Sequence, residues 1–298
     1  MLTAAAIILD GLVYAAWLFI ISVGLTLIYG VMKILNIAHG SLYAIGAYAA
    51  ASSIGLYFAH GYPPYLSFLL LILAAVVAGA VSGLIIERCI LRFMYGRDEV
   101  LMVLVTYGIF LILEDVVKVV WGVDPYFAYQ PYGLPGTVEI LGLSYAVYDL
   151  GLIVFVTCVG VAIWWGLNRT RMGKLLIAVI HDREMASACG INVPAIFTIT
   201  FIIGSVLGAL GGALTAPKIS VVPGLGVEVI VLAFAVAVIG GLGSIGGAMI
   251  GALVVGFVRA SAVHLLPEAE LFVIYVVMSA VLIVRPHGLF ARPEGRKI

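Results

Sequence analysis

Apolar residues run along this chain in long unbroken stretches rather than in alternation, and most stretches approach the length of a membrane crossing. A helix needs about 20 mostly apolar residues to traverse the hydrocarbon core of a bilayer. Runs of that kind cover 11–29, 40–58, 66–86, 101–120, 150–167 and 196–216. The region 227–263 is long enough for two passes and is interrupted by glycines at 240–247, and a shorter apolar run covers 271–284. The pattern predicts an all-α polytopic helical bundle of about nine spans, eight to ten once glycine-broken half-helices are allowed for. A barrel would need strict apolar/polar alternation, which these Ala-, Leu- and Gly-rich runs lack.

Composition points to the same solvent. The chain is 64% hydrophobic and only 10% charged, with a mean hydropathy of +1.24. Soluble domains carry about 25% charged residues, so this surface suits lipid better than water. Zero formal net charge leaves no overall basic footprint for nucleic acid. Cys89, Cys158 and Cys189 have neither paired nor metal-type spacing, so no disulfide framework and no metal site is expected. No Lys or Arg precedes Lys33, so the first apolar run is read as a span and not as a cleaved signal peptide.

The charges fall unevenly. One set of loops holds Lys33, Arg88, Arg92, Arg97, Arg169, Arg171, Lys174 and Arg183, and the tail on that side adds Arg285, Arg292, Arg296 and Lys297. The opposite set holds Lys218, with Lys118 and Arg259 near span ends, and the acids Asp10, Asp124, Glu139, Glu228, Glu268 and Glu270. Positive residues collect on the cytoplasmic side. That places the C-terminus inside and, with nine spans, the N-terminus outside. The whole chain, 1–298, reads as one transmembrane domain with an outer loop at 121–149 and an inner loop at 168–194.

Several local patterns carry candidate chemistry. In the inner loop, Asp182 suits an N-cap, Glu184 the first turn and Gly190 the residue after a helix end. A helix of about two turns between them, through Arg183, Met185 and Ala186, either docks on a soluble partner or is an interfacial helix anchored by arginines. Gly241-Leu-Gly-Ser-Ile-Gly246 matches the dinucleotide fingerprint, but its flanks are membrane-length apolar runs and no soluble βαβ unit surrounds it. Gly243, Gly247 and Gly251, like Gly204, Gly208 and Gly212, are spaced by four. They allow either close helix packing or a broken helix whose freed backbone lines a path. Asn36, His39 and Ser41, in the segment 26–41 with Tyr29 and Gly40, are costly against lipid. They cap helix ends, bond to backbone or line that path, and for His39 a structural hydrogen bond stands beside a gating role. Glu114 and Lys118 are four apart with the acid first, which suits an outer ion pair, with an ion-coupling carboxylate as the rival. Arg259 is expected to snorkel. No G-x-x-x-x-G-K-[ST] is present, so the chain lacks a P-loop.

Three blocks together resemble the permeases of bacterial branched-chain amino acid ABC importers, specifically the shorter permease of the pair. They are Gly24 to Gly30 with Asn36 to Ser41 and Gly46-Ala-Tyr48; Arg169 to Gly173 with Asp182 to Ala186 and Gly190 to Val193; and Gly240 to Gly247 with Gly251. The resemblance implies a second permease of similar fold, two cytoplasmic ATPase subunits that bind ATP and Mg²⁺, and an extracytoplasmic substrate-binding protein. It implies no cofactor on this chain and a bacterial inner-membrane location. The loop at Asp182, Arg183, Glu184, Met185, Ala186 and Gly190 becomes the coupling helix that touches an ATPase. The substrate path is expected at Tyr29, Asn36, His39, Gly40 and Ser41, and at Gly241, Gly243, Ser244 and Gly246. Related permeases for urea, short amides and aromatic acids share the blocks. An ion-coupled secondary transporter is a more distant alternative, and an intramembrane enzyme lacks any paired nucleophile or metal-ligand set.

Overall fold

The computed structural model describes residues 2–286 and 288–290, so the tail cations Arg292, Arg296 and Lys297 lie outside the described residues. The described chain is almost wholly helical. In order come α1 (Leu2–Met32), α2 (His39–Ala59), α3 (Ser67–Cys89), α4 (Glu99–Trp121), the short α5 (Gln130–Gly133), a hairpin of β1 (Thr137–Ile140) and β2 (Leu143–Ala146), α6 (Val147–Arg169), α7 (Arg171–His181), α8 (Arg183–Ala188), α9 (Val193–Thr215), α10 (Leu225–Gly240), α11 (Ile245–Leu265) and α12 (Glu270–Val284).

Seven of the described helices are long and apolar enough to cross a membrane, and α10 and α12 are shorter apolar helices. Each expected span therefore has its helix, but long helices alone do not make the count of nine. The expected break at 240–247 is the stretch 241–244 between α10 and α11. α1 begins well before the expected residue 11 because Asp10, the charge that interrupts the run, meets His264 of α11 at 2.7 Å.

Packing shows why lipid is the solvent. On α3, Leu71, Ala75, Gly79 and Gly83 are buried, while Leu69, Leu73, Val77 and Val81 stand exposed on another face. Both faces are apolar, so the inward face is set by residue size and not by polarity. Small residues let backbones approach. A Cβ at Gly83 would come within 2.6 Å of Ser205 Oγ, and one at Gly79 within 2.7 Å of Val206 Cα, so α3 lies directly on α9. α9 in turn packs on α2 and α1, and α1 on α11, which puts α1 and α9 at the centre of the bundle.

The outer loop at 121–149 folds into α5 and the β-hairpin. Its strands pair antiparallel from Thr137 opposite Ala146 to Ile140 opposite Leu143. The turn places Leu141 and Gly142 at positive φ, as a two-residue hairpin loop requires. Tyr126 and Val221 form an isolated antiparallel bridge, and Lys218 Nζ meets Asp149 Oδ1 at 2.6 Å. The loop before α6 is thus tied to the segment after α9.

Candidate functional site

At one end of the bundle α7 and α8 form a platform. Thr170 caps α7 by accepting from Gly173 N–H at 3.1 Å, and Asp182 caps α8 by accepting from Met185 N–H at 2.9 Å. Gly190 follows α8 with φ +83°, the left-handed conformation that suits glycine after a helix end. α8 is therefore the short helix the sequence predicts. α7 was not foreseen: the stretch after Lys174 reads as a bare apolar patch, yet Gly173, Leu176 and Val179 are buried while Met172, Lys174 and Leu175 are exposed. The three-residue spacing of the buried positions carried the signal.

α8 has two faces. Ala186 is buried against a cluster that includes Val179, Ile196 and Phe197. Asp182, Glu184 and Met185 are exposed, Met185 to 61%. Arg183 lies half-buried between them. Its guanidinium sits 5.1 Å over the Phe197 ring and Nη2 donates to Val31 O at 3.3 Å. Burial lowers its pKa, with Glu99 acting in the opposite sense. Phe197 is held from behind by the Tyr95 ring at 5.0 Å. Burial and the Glu87 carboxylate, to which Tyr95 donates at 2.6 Å, push the Tyr95 hydroxyl above its usual range.

Val31 adjoins the first path segment. Gly30 faces Gly243 so closely that a Cβ at Gly30 would lie 3.2 Å from Gly243 O. Gly241 and Gly243 have φ of +103° and +83°, which breaks the helix, and Ser244 caps α11 by accepting from Gly247 N–H at 3.0 Å. Gly243 therefore belongs to the break and does not share a helix face with Gly247 and Gly251, which pack against α10. The carbonyls freed at the end of α10 are met by the chain terminus: Leu289 N–H donates to Ile239 O at 2.9 Å and Phe290 N–H to Gly240 O at 3.0 Å. Gly30, Gly243, Ser244 and Gly246 line one cavity of ≈ 330 Å³, together with Thr26 and with α6 and α7 side chains such as Trp164 and Ile177. Gly241 is buried behind it. Tyr29 is partly buried, with Lys33 Nζ 5.4 Å from its ring centre.

The other expected path residues sit elsewhere. α2 starts beside the middle of α1, roughly 16 Å from the end of α1 at 1.5 Å per residue, because His39 Nε2 lies 2.9 Å from Ile21 O. A carbonyl only accepts, so this nitrogen carries the proton. The ring fills space left by Gly24 and Gly208, whose added Cβ atoms would reach it at 3.0 and 2.9 Å. Ser41 Oγ donates to Phe110 O at 3.2 Å. The irregular backbone between α1 and α2 is stitched by Thr106 of α4, which donates to Leu35 O at 3.0 Å and accepts from Ile37 N–H at 3.3 Å. Non-helical backbone at this depth is stable only against protein or water. Asn36 is fully buried, and neither of its side-chain polar atoms has a hydrogen-bond partner among the described residues. Gly40 packs against Gly226 and Ile230 of α10.

One expected pairing is corrected. Lys118 meets Asp115 at 3.0 Å and not Glu114. Glu114 turns inward, 8% exposed, and its Oε2 accepts from Gly224 N–H at 3.0 Å. The unpaired N–H groups of a helix start attract a carboxylate more strongly than an exposed lysine does. Arg259 is ion-paired. Its Nε donates to Glu270 at 2.6 Å and its guanidinium lies 3.9 Å over the Tyr14 ring. No group of three or more metal-ligating side chains occurs among the described residues.

Comparison with known proteins gives this arrangement a family. Residues 7–282 match the family described as branched-chain amino acid transport system / permease component. The high-affinity branched-chain amino acid transport system permease protein BraD of Pseudomonas aeruginosa is 29% identical over 98% of this chain and 97% of its own length. LivH of Escherichia coli, which carries the same description, is 29% identical over 94% of this chain and 92% of its own. The ribose import permease protein RbsC of Escherichia coli is 27% identical over 80% and 72%. Among solved structures, PsaBC from Streptococcus pneumoniae in complex with Fab reaches a TM-score of 0.49 at 12% identity over 92% of this chain and 89% of that one, a likeness too distant to bear on the fold. With the family match spanning nearly all of the helical bundle, the chain belongs to the permease-component family of branched-chain amino acid transport systems, as a multi-pass membrane subunit of an ABC importer.

Proposed function

We propose that this chain forms one wall of an amino-acid path through the inner membrane and carries the surface through which separate ATPase subunits drive it. The observation that supports this most directly is the Arg183–Val31 hydrogen bond. It ties α8 to the end of α1, one residue from the place where Gly30 meets the break at Gly243. A push on α8 therefore reaches the cavity wall through one rigid contact. Coupling that acts on a two-state element needs such a link.

On this reading Asp182, Glu184 and Met185 face a cytoplasmic ATPase, which holds the ATP and Mg²⁺. A second permease completes the path, and the whole of 1–298 acts as one transmembrane domain with its C-terminus inside and its N-terminus outside. A loaded binding protein docks on the opposite face, where the 121–149 loop is tied to the segment after α9. Closure of the ATPases moves α8 and switches access to the path between its two faces. The residues of both glycine-rich segments line that path or hold its walls, with Asn36, His39 and Ser41 in the second role. Branched-chain amino acids are the substrate class, following the descriptions of BraD and LivH. The ribose permease cautions that a similar scaffold serves other cargo in other importers.

The test is reconstitution. Uptake of leucine into proteoliposomes holding this chain, its partner permease and the ATPases is expected to require ATP and binding protein. Reversing the charges of Arg183 and Glu184 together is expected to leave membrane insertion intact and to separate ATP hydrolysis from uptake. Uptake driven by a sodium or proton gradient with no ATPase present would establish a secondary transporter instead.

A further inference from the structure

A second cavity lies at the end of the bundle remote from α8. It measures ≈ 760 Å³, inside the range of about 300–1,000 Å³ usual for small-molecule sites. One wall is apolar and aromatic, formed by Trp17, Tyr43, Leu152, Leu232 and Tyr275. Trp17 is held between Tyr14, tilted against it at 4.9 Å, and Tyr43, edge-on at 6.4 Å. Tyr43 is itself fixed by a 2.6 Å hydrogen bond to Thr215.

The lining also carries five charged residues, Asp10, Asp149, Lys218, Glu228 and Arg259, and four of them are already paired. Lys218 holds Asp149 at 2.6 Å, Arg259 holds Glu270 and His264 holds Asp10 at 2.7 Å. Glu228, in the first turn of α10, stands exposed at the edge of the cavity and makes no hydrogen bond or ion pair among the described residues. The cavity thus offers one carboxylate free to take a cation. It also offers spare donors, because a guanidinium has five N–H groups and an ammonium three, more than these pairs use. An unpaired anion, unspent cationic donors and an apolar wall together match one ligand class.

We propose that this cavity binds the zwitterion of an apolar amino acid. Glu228 takes the ammonium, Lys218 and Arg259 share the carboxylate, and the aromatic wall takes the side chain. The proposal deepens the permease reading above and rests on it. It also makes the permease itself a discriminating element, since urea, neutral amides and sugars lack the ammonium that Glu228 requires.

Cysteine protection tests it. In the complete importer, with Cys89, Cys158 and Cys189 replaced by serine, Leu232→Cys places a thiol in the cavity, and Val231→Cys serves if that variant does not insert. The importer is held in nanodiscs of phosphatidylglycerol, which has no ammonium group. Leucine is expected to slow maleimide labelling severalfold, whereas N-acetylleucine and 4-methylpentanoate, which lack the ammonium, leave it unchanged. Glu228→Gln is expected to abolish protection while the ligand-free labelling rate stays the same, which shows the cavity is intact. No protection by leucine, equal protection by N-acetylleucine, survival of protection in Glu228→Gln, or protection by phosphatidylethanolamine in place of leucine would each overturn the proposal. ATP-dependent leucine uptake by the same preparation separates the two levels. Uptake without protection removes the cavity site and keeps the permease, while absence of uptake in the cysteine-replaced parent removes the permease reading itself.

Discussion

Glu114 Oε2, on α4, accepts the backbone N–H of Gly224 at 3.0 Å, and so fastens one long helix to the residue that opens a short one. Gly224 sits at φ +88° as the N-cap of α10 and has no side chain with which to cap the helix itself. The carboxylate instead accepts the N-cap residue's own N–H from across the bundle. Glu114→Ala leaves a part-buried N–H unmet, a loss of up to about 1–3 kcal/mol, and Glu114→Gln, which keeps an acceptor oxygen, loses less. Thermal unfolding in detergent checks the order wild type, Gln, Ala. Equal destabilisation by both variants would show that the hydrogen bond is not the cause. A Gln variant that is stable yet inactive in uptake would revive an ion-coupling role.

Met185 supports a different expectation. It is 61% exposed on the face of α8 opposite the buried Ala186, so nothing in this chain depends on its side chain. Met185→Asp is expected to change stability within about 0.5 kcal/mol, as surface substitutions usually do. If this face meets an ATPase, the same variant loses an apolar anchor, and co-purification of the ATPase with the membrane subunits falls sharply. Unchanged recovery of the ATPase would remove Met185 from the contact.

How much of this was legible in the sequence follows from what kind of force placed each part. Helix positions could be read because lipid imposes one rule on every residue of a span. The caps at Asp182 and Gly190 could be read because they depend only on local backbone geometry. The partner of Glu114 could not. Spacing along one helix favours Lys118, and the acceptor-starved start of α10 that won lies more than a hundred residues away. The burial of Asn36, His39 and Ser41 away from the ≈ 330 Å³ cavity was hidden for the same reason. Polar residues in an apolar stretch announce a constraint, but the fold alone decides whether it is a path or a helix joint. α7 was masked because its polar face and its apolar face are both needed to recognise it, and a run read only for hydrophobic length shows one of them.

The break between α10 and α11 makes two glycines separable. Gly243 has φ +83° and lies against Gly30, where an added Cβ would be 3.1 Å from Gly30 Cα, whereas a Cβ at Gly246 would meet nothing within 4 Å. Gly243→Val combines backbone strain of roughly 1–2 kcal/mol with crowding of the contact between α1 and the break. It is expected to reduce uptake strongly even where protein is recovered. Gly246→Ala, at an open helical position, is expected to transport normally. Proteoliposome uptake normalised to inserted protein distinguishes them, and comparable activity would show that this contact does not govern the path.

The chain terminus supplies the last prediction. Without Leu289 and Phe290 the carbonyls of Ile239 and Gly240 lose their donors, at the point where Gly241 has already ended the helix. Each orphaned buried group costs about 1–3 kcal/mol unless water reaches it. A chain ending at Val284 is therefore expected to unfold at lower temperature than the full chain. It is also expected to show faster amide exchange over the last turn of α10, while α3 and α9 keep their protection. Hydrogen exchange read by mass spectrometry resolves these regions. Loss of protection confined to the break would show that the terminus acts as a local brace for the glycine segment, and uniform loss would show that it stabilises the bundle as a whole.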